Sequence, residues 1–195
     1  MNSPKDRPAL CRPGINRSLT RRNILCLGAA ASLSLAVAPR TVLAREAAPR
    51  TISFNNLHTG EKLKTTFWAD GVYVRDALGE INWVLRDFRT GDVTQIDPEL
   101  LDVLYALRER METKNPFDVI SGYRSPATNA MLNARSDGVA KKSFHTRGKA
   151  IDIRLEDRKL ADLHRAALSL KAGGVGYYPR SDFVHVDTGP VRRWG

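Results

Sequence analysis

Two short segments carry histidine and carboxylate side chains at spacings that suit metal-assisted hydrolysis. The first reads Ser143-Phe144-His145-Thr146-Arg147-Gly148-Lys149-Ala150-Ile151-Asp152-Ile153-Arg154. In a strand beginning at Ala150, alternation sets Ile151 and Ile153 on one face and Ala150, Asp152 and Arg154 on the other. The isoleucines suit a core, so Asp152 points away from it, beside a small Ala150 that leaves room for approach. Gly148 lets the chain bend, so that the His145 imidazole can return over the sheet. The second segment reads Ser181-Asp182-Phe183-Val184-His185-Val186-Asp187-Thr188-Gly189. Its Val184 and Val186 form the buried set, while Phe183, His185 and Asp187 share the other face. Placed side by side, the two strands bring His185 to Asp152. Two imidazoles and one carboxylate, with a fourth position left to water, make a hydrolytic zinc set. Zinc lowers the pKa of such a water to about 7. Taken on spacing alone, the same residues also fit a surface His–Asp pair or a satisfied buried hydrogen bond. Of the four histidines, His58 falls in a turn and His164 in a helix, and neither joins the set.

The elements that must position these side chains follow from periodicity. Thr51 to Leu57 and Leu63 to Trp68 flank a turn-like stretch and read as a β-hairpin. Apolar positions from Arg75 to Phe88 recur at helical spacing. Asp97 and Pro98 open a second amphipathic helix, as N-cap and first helical residue, that runs to about Glu112. Phe117 to Ile120 reads as a strand, and Ser125-Pro126 opens a short helix to about Ala134. Residues 135–143 are a polar loop. A strand from Ala150 to Leu155, a helix from Asp157 to Leu170 and strands at Val175–Tyr177 and Phe183–Asp187 complete the pattern. Together they predict an α+β domain, with helices packed on a small, largely antiparallel sheet.

The first 44 residues do not belong to that domain. Arg7, Arg12 and Arg17 lead into Arg21-Arg22, and an apolar run of small residues extends from Ile24 to Ala38. Its 15 residues fall short of the roughly 20 that a bilayer-spanning helix needs. A basic segment, a short apolar segment and the Val42-Leu43-Ala44 exit form a secretory signal of twin-arginine character; the competing reading is an uncleaved anchor. The expectation is a signal over residues 1–44, a domain over residues 45–195, a periplasmic location and no stable membrane association after cleavage. Both cysteines, Cys11 and Cys26, leave with the signal, so a metal must be held by His, Asp or Glu. The net charge falls from +10 to +4. That mild excess gives no case for nucleic acid, but it suits a wall polymer carrying carboxylates. Nothing in the pattern fixes an oligomeric state.

Three motifs occur in order: Ser-Gly-Tyr-Arg-Ser at 121–125, Ser-x-His-x-x-Gly-x-Ala-x-Asp at 143–152 and Phe-Val-His-x-Asp-x-Gly at 183–189. With the closing Arg193-Trp194 they resemble the murein endopeptidase K family, related to D-Ala-D-Ala dipeptidases and carboxypeptidases of Hedgehog-type fold. The resemblance covers essentially all of residues 51–195. It implies Zn2+ on His145, Asp152 and His185, and cleavage of peptide stems or cross-links of peptidoglycan. It also implies a general base three residues before the last histidine, a position that Asp182 occupies. Strand parity sets 182 and 185 on opposite faces, so Asp182 serves only if the strand starts after it; Asp187 is the competing base, or orients a ligand. Arg124 matches an arginine that relatives aim at the substrate carbonyl, which implies oxyanion stabilisation. Ser143 matches a position that binds substrate or supports the site. Tyr123, Tyr177 and Tyr178 are candidates for the cleft wall. The expected activity is endopeptidase. The alternatives are a D,D- or L,D-carboxypeptidase or dipeptidase acting on stem peptides, and a non-catalytic, zinc-containing wall-binding module.

Overall fold

A computed structural model describes residues 48–135 and 139–195. The proposed signal over residues 1–44 lies outside the described residues. In chain order the elements are β1 (Arg50–Asn56), β2 (Lys62–Ala69), β3 (Val72–Tyr73), α1 (Arg75–Val84) and α2 (Pro98–Met111). There follow β4 (Phe117–Ser121), α3 (Pro126–Arg135), a single 3-10 turn (Phe144–Arg147) and β5 (Ala150–Arg154). The chain ends with α4 (Leu160–Leu170), β6 (Gly174–Tyr178), β7 (Phe183–Asp187) and β8 (Arg192–Trp194).

The α+β expectation stands, but the sheet corrects it. The sheet is large rather than small, with eight strands in the order β3-β2-β1-β4-β5-β7-β6-β8, and five of its seven pairings are antiparallel. It is mixed, because β1 pairs in parallel with β4 and β6 with β8. Strands β2 and β3 and helices α1 and α2 separate β1 from β4, and strand β7 with its flanking turns separates β6 from β8, which leaves the long connections that parallel pairing requires.

One face of the sheet carries Ile52, Phe54, Phe117, Val119, Ile151, Ile153, Val184 and Val186, all buried. Helix α2 lays Leu100, Leu101, Leu104 and Leu107 into the same core with no exposed surface. Burying each such side chain contributes about 1.5–3 kcal/mol. Asp97 caps α2 as expected, accepting from the Glu99 N–H at 3.1 Å with Pro98 at the first helical position. Helix α1 ends at Val84, short of the expected Phe88, because the chain turns there to bury Leu85. Helix α4 starts at Leu160, three residues later than expected. Before it, Asp157 accepts from Thr113 at 2.8 Å and Arg158 donates to the carbonyls of Met111 and Glu112, which holds 157–158 in a tie to the end of α2.

Candidate metal centre and its cleft

Strands β5 and β7 are antiparallel neighbours whose register sets Asp152 directly opposite His185 and Ala150 opposite Asp187. Directly opposed residues share a face, and this is the face turned away from the helical core. His145 arrives from the 3-10 turn. Ser143 caps that turn, its hydroxyl accepting from the His145 N–H at 3.3 Å. Gly148 closes it at φ 65°, and a side chain there would meet the Gln95 carbonyl at 2.3 Å. The expected bend is therefore present, and only glycine fits it.

The three side chains converge. Asp152 Oδ1 lies 2.8 Å from His185 Nδ1 and 3.2 Å from His145 Nε2, and the two nitrogens are 3.1 Å apart. All three residues are buried. Their outer hydrogen bonds fix which nitrogen carries a proton. His145 Nδ1 donates to the Gly122 carbonyl at 2.7 Å, and His185 Nε2 donates to Asp187 Oδ2 at 3.0 Å. When each ring is neutral, its inner nitrogen therefore turns a lone pair toward Asp152. Burial pushes His145 below the ordinary imidazole range. Burial also works against a charge on His185, but the carboxylates of Asp152 and Asp187 outweigh it and hold that ring above the range. Asp152 is opposed by burial, yet the two imidazoles and Arg124 keep its carboxyl well below the usual carboxylate range. With His145 neutral, only a proton on His185 is left to bridge the three acceptors. A cation in its place satisfies all of them. Their separations also approach the edge of roughly 3.3 Å expected for a tetrahedron with 2.0–2.1 Å bonds. The donor set fits a zinc-like ion.

Around this centre lies a cavity of about 590 Å³ lined by Arg124, Ser143, Tyr178, Phe183, Arg192 and Trp194, among others. Arg124 pairs with Asp152 Oδ2 and donates from Nε to Ser121 Oγ at 2.8 Å, so the guanidinium stands at Asp152 itself. Ser143 lines the cavity, with its hydroxyl engaged in the cap just described. Asp187 has no exposed surface. It accepts from His185, from both Nη atoms of Arg192, and from the Gly174 and Gly189 N–H groups. Burial opposes its ionisation, but His185 and Arg192 hold it well below the usual range. A carboxylate so committed orients His185 and has no lone pair left for a reacting proton.

Asp182, expected as the base, is not among the converging side chains. Strand β7 does begin after it, as required, but Asp182 sits at φ 53° and its carboxylate pairs with Arg154 Nη1 at 3.0 Å. The left-handed turn residue aims it along the sheet, although its neighbours Ser181 and Phe183 both line the cavity. Of the tyrosines, only Tyr178 reaches the cavity. Tyr177 stacks on His164 at 4.6 Å, and Tyr123 packs on the core.

Sequence reasoning named Tyr178 for the cleft wall, but missed that Trp194 joins it and Phe183 in one aromatic wall. Trp194 donates to the Tyr178 hydroxyl at 2.8 Å and stands 5.2 Å from the His185 ring, while Tyr178 stacks on Phe183 at 4.5 Å. Gly176 makes room for it, since a side chain there would meet the indole at 2.6 Å. The signal was the terminal Arg192-Arg193-Trp194 run, too short to show alternation.

A family model described as peptidoglycan L,D-endopeptidase MepK matches residues 44–194. The chain is 48% identical over 176 residues to the peptidoglycan L,D-endopeptidase MepK of Escherichia coli (strain K12), covering 89% of this chain and 96% of that protein. The protein of the same name from Shigella flexneri gives the same figures. A probable peptidoglycan L,D-endopeptidase MepK of Haemophilus influenzae is 42% identical over 177 residues, covering 89% of this chain and 95% of that one.

Proposed function

This chain belongs to the peptidoglycan L,D-endopeptidase MepK family, and from that premise we propose that it hydrolyses peptide cross-links of the bacterial wall with zinc held by His145, Asp152 and His185. The observation that carries the metal site is the meeting of three lone-pair donors with one bridging proton at most between them. Zinc, when bound, supplies the Lewis acidity that activates water and polarises a scissile carbonyl at neutral pH. The name shared by the relatives favours an endopeptidase over an enzyme that trims free stem ends.

The chain's own residues divide the remaining work. Asp187 and the Gly122 carbonyl fix the two rings, so the ligands need no rearrangement to receive the ion. Arg124 holds Asp152 in place and borders the cavity, where its guanidinium can face the oxyanion that develops on the carbonyl. Asp182 takes the proton from the attacking water and returns it to the leaving amine as the C–N bond breaks. Support for Asp182 comes from its exposure, from flanking residues in the cavity, and from a single solvent-screened ion pair that leaves it free to turn. The aromatic wall of Trp194, Tyr178 and Phe183 offers a flat surface against which a stem peptide can lie. A wall substrate places the enzyme outside the cytoplasm. Residues 1–44 serve as its twin-arginine export signal, and residues 45–195 form the peptidase domain.

The test is mass analysis of cross-linked muropeptide dimers incubated with the zinc-loaded protein, with and without chelator. Dimers should become monomers by scission of an L–D bond, chelator should stop the reaction, and zinc should restore it. Undiminished digestion by protein shown to be metal-free would exclude the mechanism. Release of a terminal residue alone would replace it with a carboxypeptidase. Binding without cleavage of any muropeptide would make the domain a binding module.

A further inference from the structure

A second cavity, of about 490 Å³, opens beside the metal centre and takes in Asn55, Asp118, Arg154, Arg158 and Asp182. Arg154 follows Asp152 by two residues on β5, so the two side chains share a face and sit roughly 6.6 Å apart along the strand. That is the distance between alternate residues of an extended peptide lying across the sheet. Arg154 stands between two carboxylates of unlike character. Asp118 lies opposite it in register, is mostly buried, and is fixed from its other oxygen by Asn55 Nδ2 at 2.7 Å. Asp182 is exposed, and Arg154 is its one hydrogen-bond partner among the described residues.

We propose that Arg154 is a specificity-determining residue that binds a free carboxylate of the stem peptide, and that this carboxylate takes the place of Asp182 on the guanidinium. Resting on the peptidase reading, the exchange explains how the proposed base is delivered. A buried, doubly held partner such as Asp118 stays. An exposed, singly held one such as Asp182 yields to a planar carboxylate that can pair bidentately with arginine. Released from Arg154, Asp182 can turn toward the cavity that Ser181 and Phe183 already line. Substrate recognition and arming of the base thereby become one event.

The experiment compares a cross-linked muropeptide dimer bearing free stem carboxylates with the same dimer amidated at those groups. Binding to chelator-treated protein is measured by calorimetry, then KM and kcat with zinc restored. Wild type should bind the amidated dimer at least tenfold more weakly. Arg154→Gln should bind both dimers equally poorly, at unchanged zinc content, and Arg154→Lys should retain part of the preference. Asp182→Asn, which removes the competitor, should bind the free-carboxylate dimer about two- to fivefold more tightly while losing hydrolysis. A preference that survives in Arg154→Gln, or that is missing from a wild type that cleaves both dimers, overturns the subsite and leaves the peptidase intact. A wild type that prefers the free carboxylate but cleaves neither dimer refutes the peptidase instead.

Discussion

Asp182 lies in the turn just before the five-residue strand β7 and Asp187 ends that strand, and the two have opposite surroundings. Asp187 has no exposed surface and accepts hydrogen bonds from four separate groups. Asp182 is exposed and holds one arginine. The contrast separates two duties. Holding a metal ligand in one orientation calls for a partner that cannot move, whereas carrying a proton between water and a leaving group calls for one that can. The surroundings differ in the sense these proposed duties need: Gly174, Gly189 and Arg192 enclose Asp187, while Asp182 sits in the turn that precedes the strand.

The largest test of this contrast removes what the strand is there to present. His185→Ala should lose bound zinc and reduce muropeptide hydrolysis to background, read by metal analysis and product masses. Next, Asp182→Asn should cost about 10²–10⁴ in kcat, the usual contribution of a general acid–base group, at full zinc content. Asp187→Asn should do the reverse, weakening zinc about 10–100-fold in a chelator competition and recovering much of its activity at saturating metal. If instead Asp187→Asn keeps zinc and loses kcat, the assignments are exchanged.

A smaller effect is expected at Asp87, a buried carboxylate with no proposed part in the chemistry. It accepts from the Ser125 and Arg89 N–H groups and so holds the loop that carries Arg124. Burial opposes its ionisation, but Thr128, Ser125 and Arg89 lower it to about 2. Its folded value lies below its unfolded one, so its contribution to stability is complete above about 3.9 and fades as pH falls toward 2. Asp87→Asn should cost about 2 kcal/mol at pH 7 and remove that part of the acid dependence, as followed by denaturant unfolding. Zinc affinity should stay unchanged.

Local rules made part of this molecule readable. The hairpin, the capped α2 and the convergence of His145, Asp152 and His185 followed from alternation, an Asp-Pro pair and a glycine bend, each decided within a few residues. The sheet order was not readable in the same way, because β1 meets β4, and β6 meets β8, through contacts that no local pattern encodes. Strand β8 is three residues long and largely exposed, so neither Arg192 nor the Trp194 wall declared itself. The partner of Asp182 was hidden for another reason: parity describes extended chain, and at φ 53° Asp182 has left it.

The rigid frame around His145, Asp152 and His185 has a consequence for the protein's own lifetime. Folding presses like-polarity lone pairs together, and unfolding releases them, so a cation that binds only the folded chain acts as a clamp on it. At a hundredfold excess over its Kd, such an ion adds about 2.7 kcal/mol to the unfolding free energy. Starving the protein of metal would therefore hasten its destruction by neighbouring proteases as well as silence it, and scarcity of the ion would thin the enzyme's population.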